Sequence, residues 1–284
     1  MKAELLRRVI VAPVLFIIAG CIVLSLVQER LPGVKRARPR AEIEVALPLF
    51  VQVALAGGDR HLAASWAVLR AMVTETARMA REEYQILGQV QEDASWLNPA
   101  HEDNYYIAAA ILPWEGQVAP TQSILRRATL ARSFDYQPPF YYAFNQVHFR
   151  GDALGASEWL RRAARNLPDA EEQLTLENFA ARWLDRSHDL DLAASIVDTM
   201  AAQAKRKDFA AYLRQRSQRL RDLAALRRAA ATYHERYRRP LQSLDDLVRS
   251  GLIAQIPADP FGSGFALDQT GLPVLAGGVA GGGK

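Results

Sequence analysis

The chain has 284 residues, half of them hydrophobic and 23% charged, which is ample for one large or two small packed domains and excludes a compositionally disordered chain. Its net charge of +4 does not mark a nucleic-acid binder: the arginines are spread through helical stretches and alternate with Glu and Asp, as on a solvated helix surface. The single cysteine, Cys21, excludes an internal disulfide and any cysteine-based metal site.

Residues 9–27 (VIVAPVLFIIAGCIVLSLV) carry no charge over 19 positions. About 20 helical residues cross a bilayer core. Lys2, Arg7 and Arg8 precede the run, and Glu29 and Arg30 close it. A buried soluble helix keeps a polar face that this run lacks, so residues 1–30 are expected to form a transmembrane anchor or a signal. Ile18-Ala19-Gly20-Cys21 resembles a lipobox, in which the cysteine takes a lipid. Ile22-Val23-Leu24 prolongs the apolar run past it, and an uncleaved helix is the expectation. Counting basic residues on either side, Arg30, Lys35, Arg36, Arg38 and Arg40 against Lys2, Arg7 and Arg8, places the following domain in the cytoplasm. The basic–apolar–small order is that of an export signal and predicts instead a single-pass protein of the bacterial inner membrane with a periplasmic domain, which is the reading adopted. Residues 31–43 begin LPGVKRARPR and read as a solvated linker.

Residues 44–237 are patterned for helix almost throughout. A helix over 47–56 is stopped by Gly57-Gly58, and 61–91 reads as one long amphipathic stretch before Asn98-Pro99. Helices follow over 103–112, 120–132 and 140–149. Gly151-Asp152 turns the chain into 153–166, closed by Pro168, and helix resumes over 170–185, 190–205 and 207–237. Paired helices of this length with short turns are the unit of an α-solenoid, here of roughly seven to nine helices.

Spacing supports a repeat. From Ala156, Leu160, Ala163 and Pro168 fall at +4, +7 and +12, while Phe140, Ala143 and Val147 mark a preceding helix and Gly151 the turn between them. A shift of 35 residues finds Tyr105, Ala108, Ala109, Leu112, Leu125 and Ala128; Ala193, Val197 and Met200 fit a third copy loosely. Residues 102–170 thus resemble tetratricopeptide repeats (TPRs), whose unit is about 34 residues with small residues where two helices cross. Phe144 departs from that pattern by standing where the family prefers a small residue. The segment 49–168, with Gly57-Gly58-Asp59-Arg60 early and Tyr105-Tyr106 and Leu112-Pro113-Trp114 in the middle, looks like a group of bacterial membrane-anchored repeat proteins. That resemblance implies no activity.

Residues 238–274 form a separate small α+β segment. Ser243 is placed to cap a helix over 244–249 stopped by Gly251, Asp259-Pro260-Phe261-Gly262 makes a turn, and 264–267 supplies one strand of a hairpin around Gln269-Thr270-Gly271. Tyr237, Pro240, Leu244, Leu247, Gly251, Pro257, Asp259, Pro260, Gly262 and Gly271 resemble the tail of type II secretion pseudopilins, without the prepilin cleavage site. The likeness implies an extracytoplasmic setting. Residues 275–284 read as a flexible end.

No phosphate-binding loop, zincin motif or nucleophile elbow is present, and none of the five histidines stands four residues from another. His101-Glu102-Asp103 reads as a capping turn and Asp245-Asp246 as a helix first turn. Asp259 and Asp268 with backbone oxygens offer a Ca²⁺-stabilised tail, the second reading. The sequence therefore predicts an all-α, TPR-like solenoid behind a transmembrane helix, with a small α+β tail. Its expected work is non-enzymatic scaffolding or assembly in a bacterial envelope system for secretion, pilus formation or polysaccharide export. No metal, cofactor or nucleic-acid partner is expected. The alternatives are a lipid-anchored periplasmic accessory with that Ca²⁺ tail, and a cytoplasm-facing adaptor. The repeat register puts Tyr106, Trp114, Tyr141, Asn145 and His148 on the partner-binding face, and packs Tyr105, Phe140 and Ala163 between helices.

Overall fold

The structure is a computed structural model describing residues 45–74, 76 and 79–276. The expected anchor at 9–27, Cys21 and the linker at 31–43 lie outside the described residues, as does nearly all of the expected flexible end. The chain divides after Glu42, and the account below concerns Ile43–Lys284. Among the described residues no helix is long and apolar enough to cross a membrane.

The described chain is all-α with a two-stranded tail, and eleven α-helices follow one another. They are α1 (Leu49–Leu55), α2 (Arg60–Val73), α3 (Arg81–Leu97), α4 (Glu102–Ile111), α5 (Val118–Ala131), α6 (Gln137–Arg150), α7 (Ala153–Ala164), α8 (Ala170–Trp183), α9 (Leu190–Gln203), α10 (Lys207–Tyr237) and α11 (Asp245–Arg249). Short 3₁₀ turns, Leu112–Glu115 and Leu184–Arg186, follow α4 and α8.

Aspartates start four of these helices by accepting orphan N–H groups: Asp59 from His61 and Leu62, Asp152 from Gly155, Asp169 from Glu171 and Glu172, and Asp189 from Leu192. Gly151, at φ 67°, ends α6 in the left-handed conformation that lets α7 start two residues later. Each helix from α2 to α10 packs against a neighbour in sequence, and α9 with α10 makes the most extensive pair. Their contact uses small residues, Ala193, Ala194 and Ala201 against Leu213, Ser217, Leu220 and Ala224.

The long helix expected over 61–91 is two helices. Thr74 leaves helical geometry at ψ 129° while its hydroxyl donates to the Arg70 carbonyl at 2.7 Å. That local hydrogen bond competes with continuing the helix. The split raises the helix number above the seven to nine expected.

Two main cores result. Ala67 to Ala128 contribute to one, around Leu87, Tyr105, Leu112 and Leu125; Ala143 to Ala224 build the other, around Leu160, Leu176, Leu213 and Leu220. Helix α6 lies between them: Phe140 packs against the second core and its neighbour Tyr141 against the first. A third cluster, Leu226, Tyr233, Leu241, Leu244 and Leu247, fastens the tail to the end of α10.

In that tail, Ser243 Oγ accepts from Asp245 N at 3.2 Å and Asp246 accepts from Ser243 N at 3.1 Å, a reciprocal start to α11. Strand β1 (Phe265–Leu267) pairs antiparallel with β2 (Pro273–Leu275), with Ala266 opposite Val274. Leu275, expected in the flexible end, is thus the last residue of a strand. The hairpin is tied down by the Arg227 Nε, which donates to the Pro273 carbonyl at 3.0 Å.

Candidate functional site

Helices α4, α6 and α8 carry a run of aromatic rings in mutual contact. Tyr106 on α4 meets Tyr141 on α6 edge to face at 6.1 Å, and Tyr141 meets Phe140 at 5.6 Å. Phe140 in turn touches Phe179 at 4.8 Å and Trp183 at 5.5 Å, both on α8. A second group adjoins it. His148 stacks on Phe144 at 5.3 Å and contacts Trp114 at 5.1 Å, and Trp114 leans on Phe149 at 5.0 Å. The spacing makes this possible: Tyr141, Phe144 and His148 stand three and seven positions apart on one face of α6. Burial raises the pKa of the Tyr141 hydroxyl, helped by Tyr106. At neutral pH it is therefore a protonated donor on an otherwise apolar ring.

Four of the five residues expected on a binding face belong to these two groups. Tyr106 and Trp114 are 54% and 57% exposed, His148 is exposed and Tyr141 half-buried. Asn145 is different. It is 1% exposed and its amide nitrogen has no hydrogen-bond partner, so a partner cannot reach it without moving α6. Its place four residues after Tyr141 shares the face in register, but the neighbouring side chains close over the shorter amide. Tyr105 and Ala163 are buried between helices; Phe140 is only half-buried. Phe144, where the repeat pattern prefers a small residue, is half-buried and lies nearly parallel to the His148 ring, at 8°.

The aromatic run ends at a cavity of about 610 Å³ that the sequence did not disclose. Phe179, Arg182, Trp183, Asp185 and Arg186 wall it from the end of α8, Arg216, Arg219, Leu223 and Arg227 from α10, and Ser263, Asp268, Val274 and Leu275 from the tail. Arg216, Arg219 and Arg227 were read above as part of a solvated helix surface. Instead Arg216 is 5% and Arg219 8% exposed, since the tail covers that stripe of α10. Positions 216, 219, 223 and 227 recur at helical spacing on one face, which was the available signal; only the tail's return across it decides burial.

Arg216 pairs with Asp185 and donates to the Tyr212 hydroxyl at 3.1 Å, while its buried Nε has no hydrogen-bond partner among the described residues. Burial pushes the Asp185 carboxyl's pKa up, with Arg216 pulling the other way, and one of its oxygens is unpartnered. Arg219 stands 3.0 Å from Asp259 as an ion pair, with its guanidinium 5.3 Å from the Phe261 ring. Its Nε lies off the hydrogen-bonding line, and Arg219 makes no hydrogen bond among the described residues. Burial lowers the Arg227 pKa, Asp268 opposing it.

The same contacts correct the Ca²⁺ reading of the tail. Asp259 faces a guanidinium and accepts from Phe261 N and Gly264 N, while Asp268 accepts from Thr270 N, the Thr270 hydroxyl and Leu272 N. Both carboxylates hold turns, and a cation beside Asp259 would meet the charge of Arg219. Glu102 and Asp103 sit in the first turn of α4 as expected.

Fold and surface together define an all-α protein with an extended aromatic face. No known protein family, curated protein or solved structure matches the chain.

Proposed function

We infer that the chain is a non-enzymatic, TPR-like solenoid that holds a protein partner, tethered to the bacterial inner membrane by residues 9–27 with its helical domain in the periplasm. The observation that carries this reading is the aromatic run from Tyr106 to Trp183, which crosses the alternate helices α4, α6 and α8. Alternate helices of a stacked array share one surface, and such a surface offers an extended segment contact from several helices at once. Tyr and Trp suit it because each supplies large area and one polar atom at low conformational cost. The partner is an envelope protein or peptide, and the role is a scaffold or assembly factor in a secretion, pilus or polysaccharide-export system.

The test is comparative capture from native membranes with the full chain. Tyr141→Ala and Trp114→Ala should each lose partners that the parent chain retains. Leu130→Ala, at a 67% exposed apolar residue of α5 outside the aromatic run, should keep them. Equal loss in all three, or none in the first two, removes the aromatic face from consideration. Alkaline phosphatase fused after Arg40 should be active and a cytoplasmic fluorescent protein at that point dark; the reverse result makes the chain a cytoplasm-facing adaptor.

A further inference from the structure

The cavity between α8, α10 and the tail holds more positive charge than its own carboxylates answer. Five arginines line it against two carboxylates, Asp185 and Asp268. Asp185 is taken by Arg216, and one Asp268 oxygen is taken by backbone and hydroxyl donors of its own turn. Arg219, more than nine-tenths buried, has a single ion pair with Asp259 and no hydrogen bond among the described residues. Arg227 spends its Nε on the Pro273 carbonyl and makes no ion pair among the described residues. A guanidinium presents five donors, and the buried Nε of Arg219 has no hydrogen-bond acceptor among the described residues, so the group has donor capacity left for a ligand.

Apart from Ser263, the remaining wall is apolar: Phe179, Trp183, Leu223, Val274 and Leu275. A bare inorganic anion would satisfy the arginines and leave that wall uncovered. A carboxylate side chain with apolar neighbours would fill both. Phe179 and Trp183 belong at once to this cavity and to the aromatic run, so a segment lying along the run reaches the arginine cavity.

We propose that this cavity is an anion-recognition pocket for the partner: it takes an acidic side chain of an extended peptide, whose carboxylate is held by Arg219 and Arg227 while flanking apolar residues cover Phe179 and Trp183. The bidentate geometry of carboxylate on guanidinium supplies direction as well as attraction. Exposed Arg182 and Arg186 at the rim steer acidic segments inward and lose that effect with salt. This inference rests on the peptide-holding reading above.

The test uses the full chain in detergent and three short fluorescein-labelled peptides. One is built of Leu, Ser and Glu, the second has Gln for every Glu, and the third has Lys. Fluorescence anisotropy should show the Glu peptide binding roughly tenfold more tightly than the Gln peptide at low salt. Arg227→Gln and the double change Arg182→Gln, Arg186→Gln should each shrink that preference. Arg219→Gln should abolish it; because Arg219 is buried, circular dichroism must show that variant folded before it counts. Arg227→Glu should shift preference towards the Lys peptide. Equal binding of Glu and Gln peptides, an unchanged preference in the Arg227 and rim variants, or binding of inorganic phosphate with no binding of the Glu peptide overturns the proposal. Tyr141→Ala separates the two readings. Loss of affinity for the Glu and Gln peptides alike supports the aromatic surface. Unchanged affinity for both, with the Glu preference still lost in Arg227→Gln, leaves the pocket standing and the aromatic surface refuted.

Discussion

Asn145 and Phe140 illustrate what a repeat register says and where it stops. Helical spacing puts Asn145 on the α6 face of Tyr141 and His148, yet it is 1% exposed, because depth below the surface depends on neighbours from other helices. Because the Asn145 amide nitrogen has no acceptor, Asn145→Leu, nearly equal in size, removes an unsatisfied donor whose burial costs about 1–3 kcal/mol. The expected result is a melting temperature equal to or above that of the parent chain. A drop of several degrees would reveal an ordered water or another acceptor at that nitrogen. Phe140→Ala should destabilise by about 2 kcal/mol, less than the ~3–5 of a fully buried Phe, since this ring is half-exposed on the aromatic run. Denaturant unfolding measures it. The buried arginines were the residues least legible in the chain. Nothing in the local pattern around Arg216 and Arg219 separates a solvated stripe from one that residues more than forty positions later come back to cover.

At the level of elements, the helices were legible from their apolar period and from the turn residues between them; aspartate caps start four of the eleven. The Gly151-Asp152 pair is the clearest case, with the left-handed glycine and the capping aspartate both where the sequence put them. The break at Thr74 was hidden because no glycine or proline stands between residues 74 and 80 to mark it. The tail hairpin was visible through its turn residues, and Gly271 shows why that turn is demanding. At φ 81° it lies in a region L side chains avoid, and a Cβ there would stand 2.8 Å from the Leu241 carbonyl oxygen. Gly271→Ala should therefore loosen the tail by about 1–3 kcal/mol, read as faster amide exchange in the hairpin with exchange in α4 to α8 unchanged. Ala194 tests the tightest helix pair. It is buried against α10, and its carbonyl accepts from the Ser217 hydroxyl at 3.2 Å. Ala194→Leu should separate α9 from α10 at a cost of about 1–3 kcal/mol, visible as a lowered midpoint in urea.

Across the whole domain, carboxyls held below their ordinary pKa stand at the tail's turns and also at the starts of α2 and α10, at Asp59 and Asp208. Asp268 has its pKa lowered by hydrogen bonds from Thr270 and Leu272, and Asp246 by those from Ser243 and Gln242. A depressed carboxyl stabilises the fold fully above its ordinary value, near pH 4, and withdraws that stabilisation as pH falls through its folded-state value. The turns at 243–246 and 268–272 should open on acidification below about pH 4 while the two helical cores stay folded. Hydrogen exchange at acid and neutral pH, corrected for intrinsic rate, measures this. Loss of the cores before the tail would contradict it.

The tail also gives the cavity a place in time. Residues 263–275 follow α8 and α10 in the chain, so in N-to-C delivery two walls of the arginine cavity arrive before the third. During that interval Arg216 has Asp185 beside it, but Arg219 has no Asp259 and the Arg227 Nε has no Pro273 carbonyl. The arriving hairpin supplies both. The aromatic run, all of it between Tyr106 and Trp183, needs none of this and is complete earlier in synthesis. A nascent chain therefore acquires its apolar surface first and its charge selectivity last.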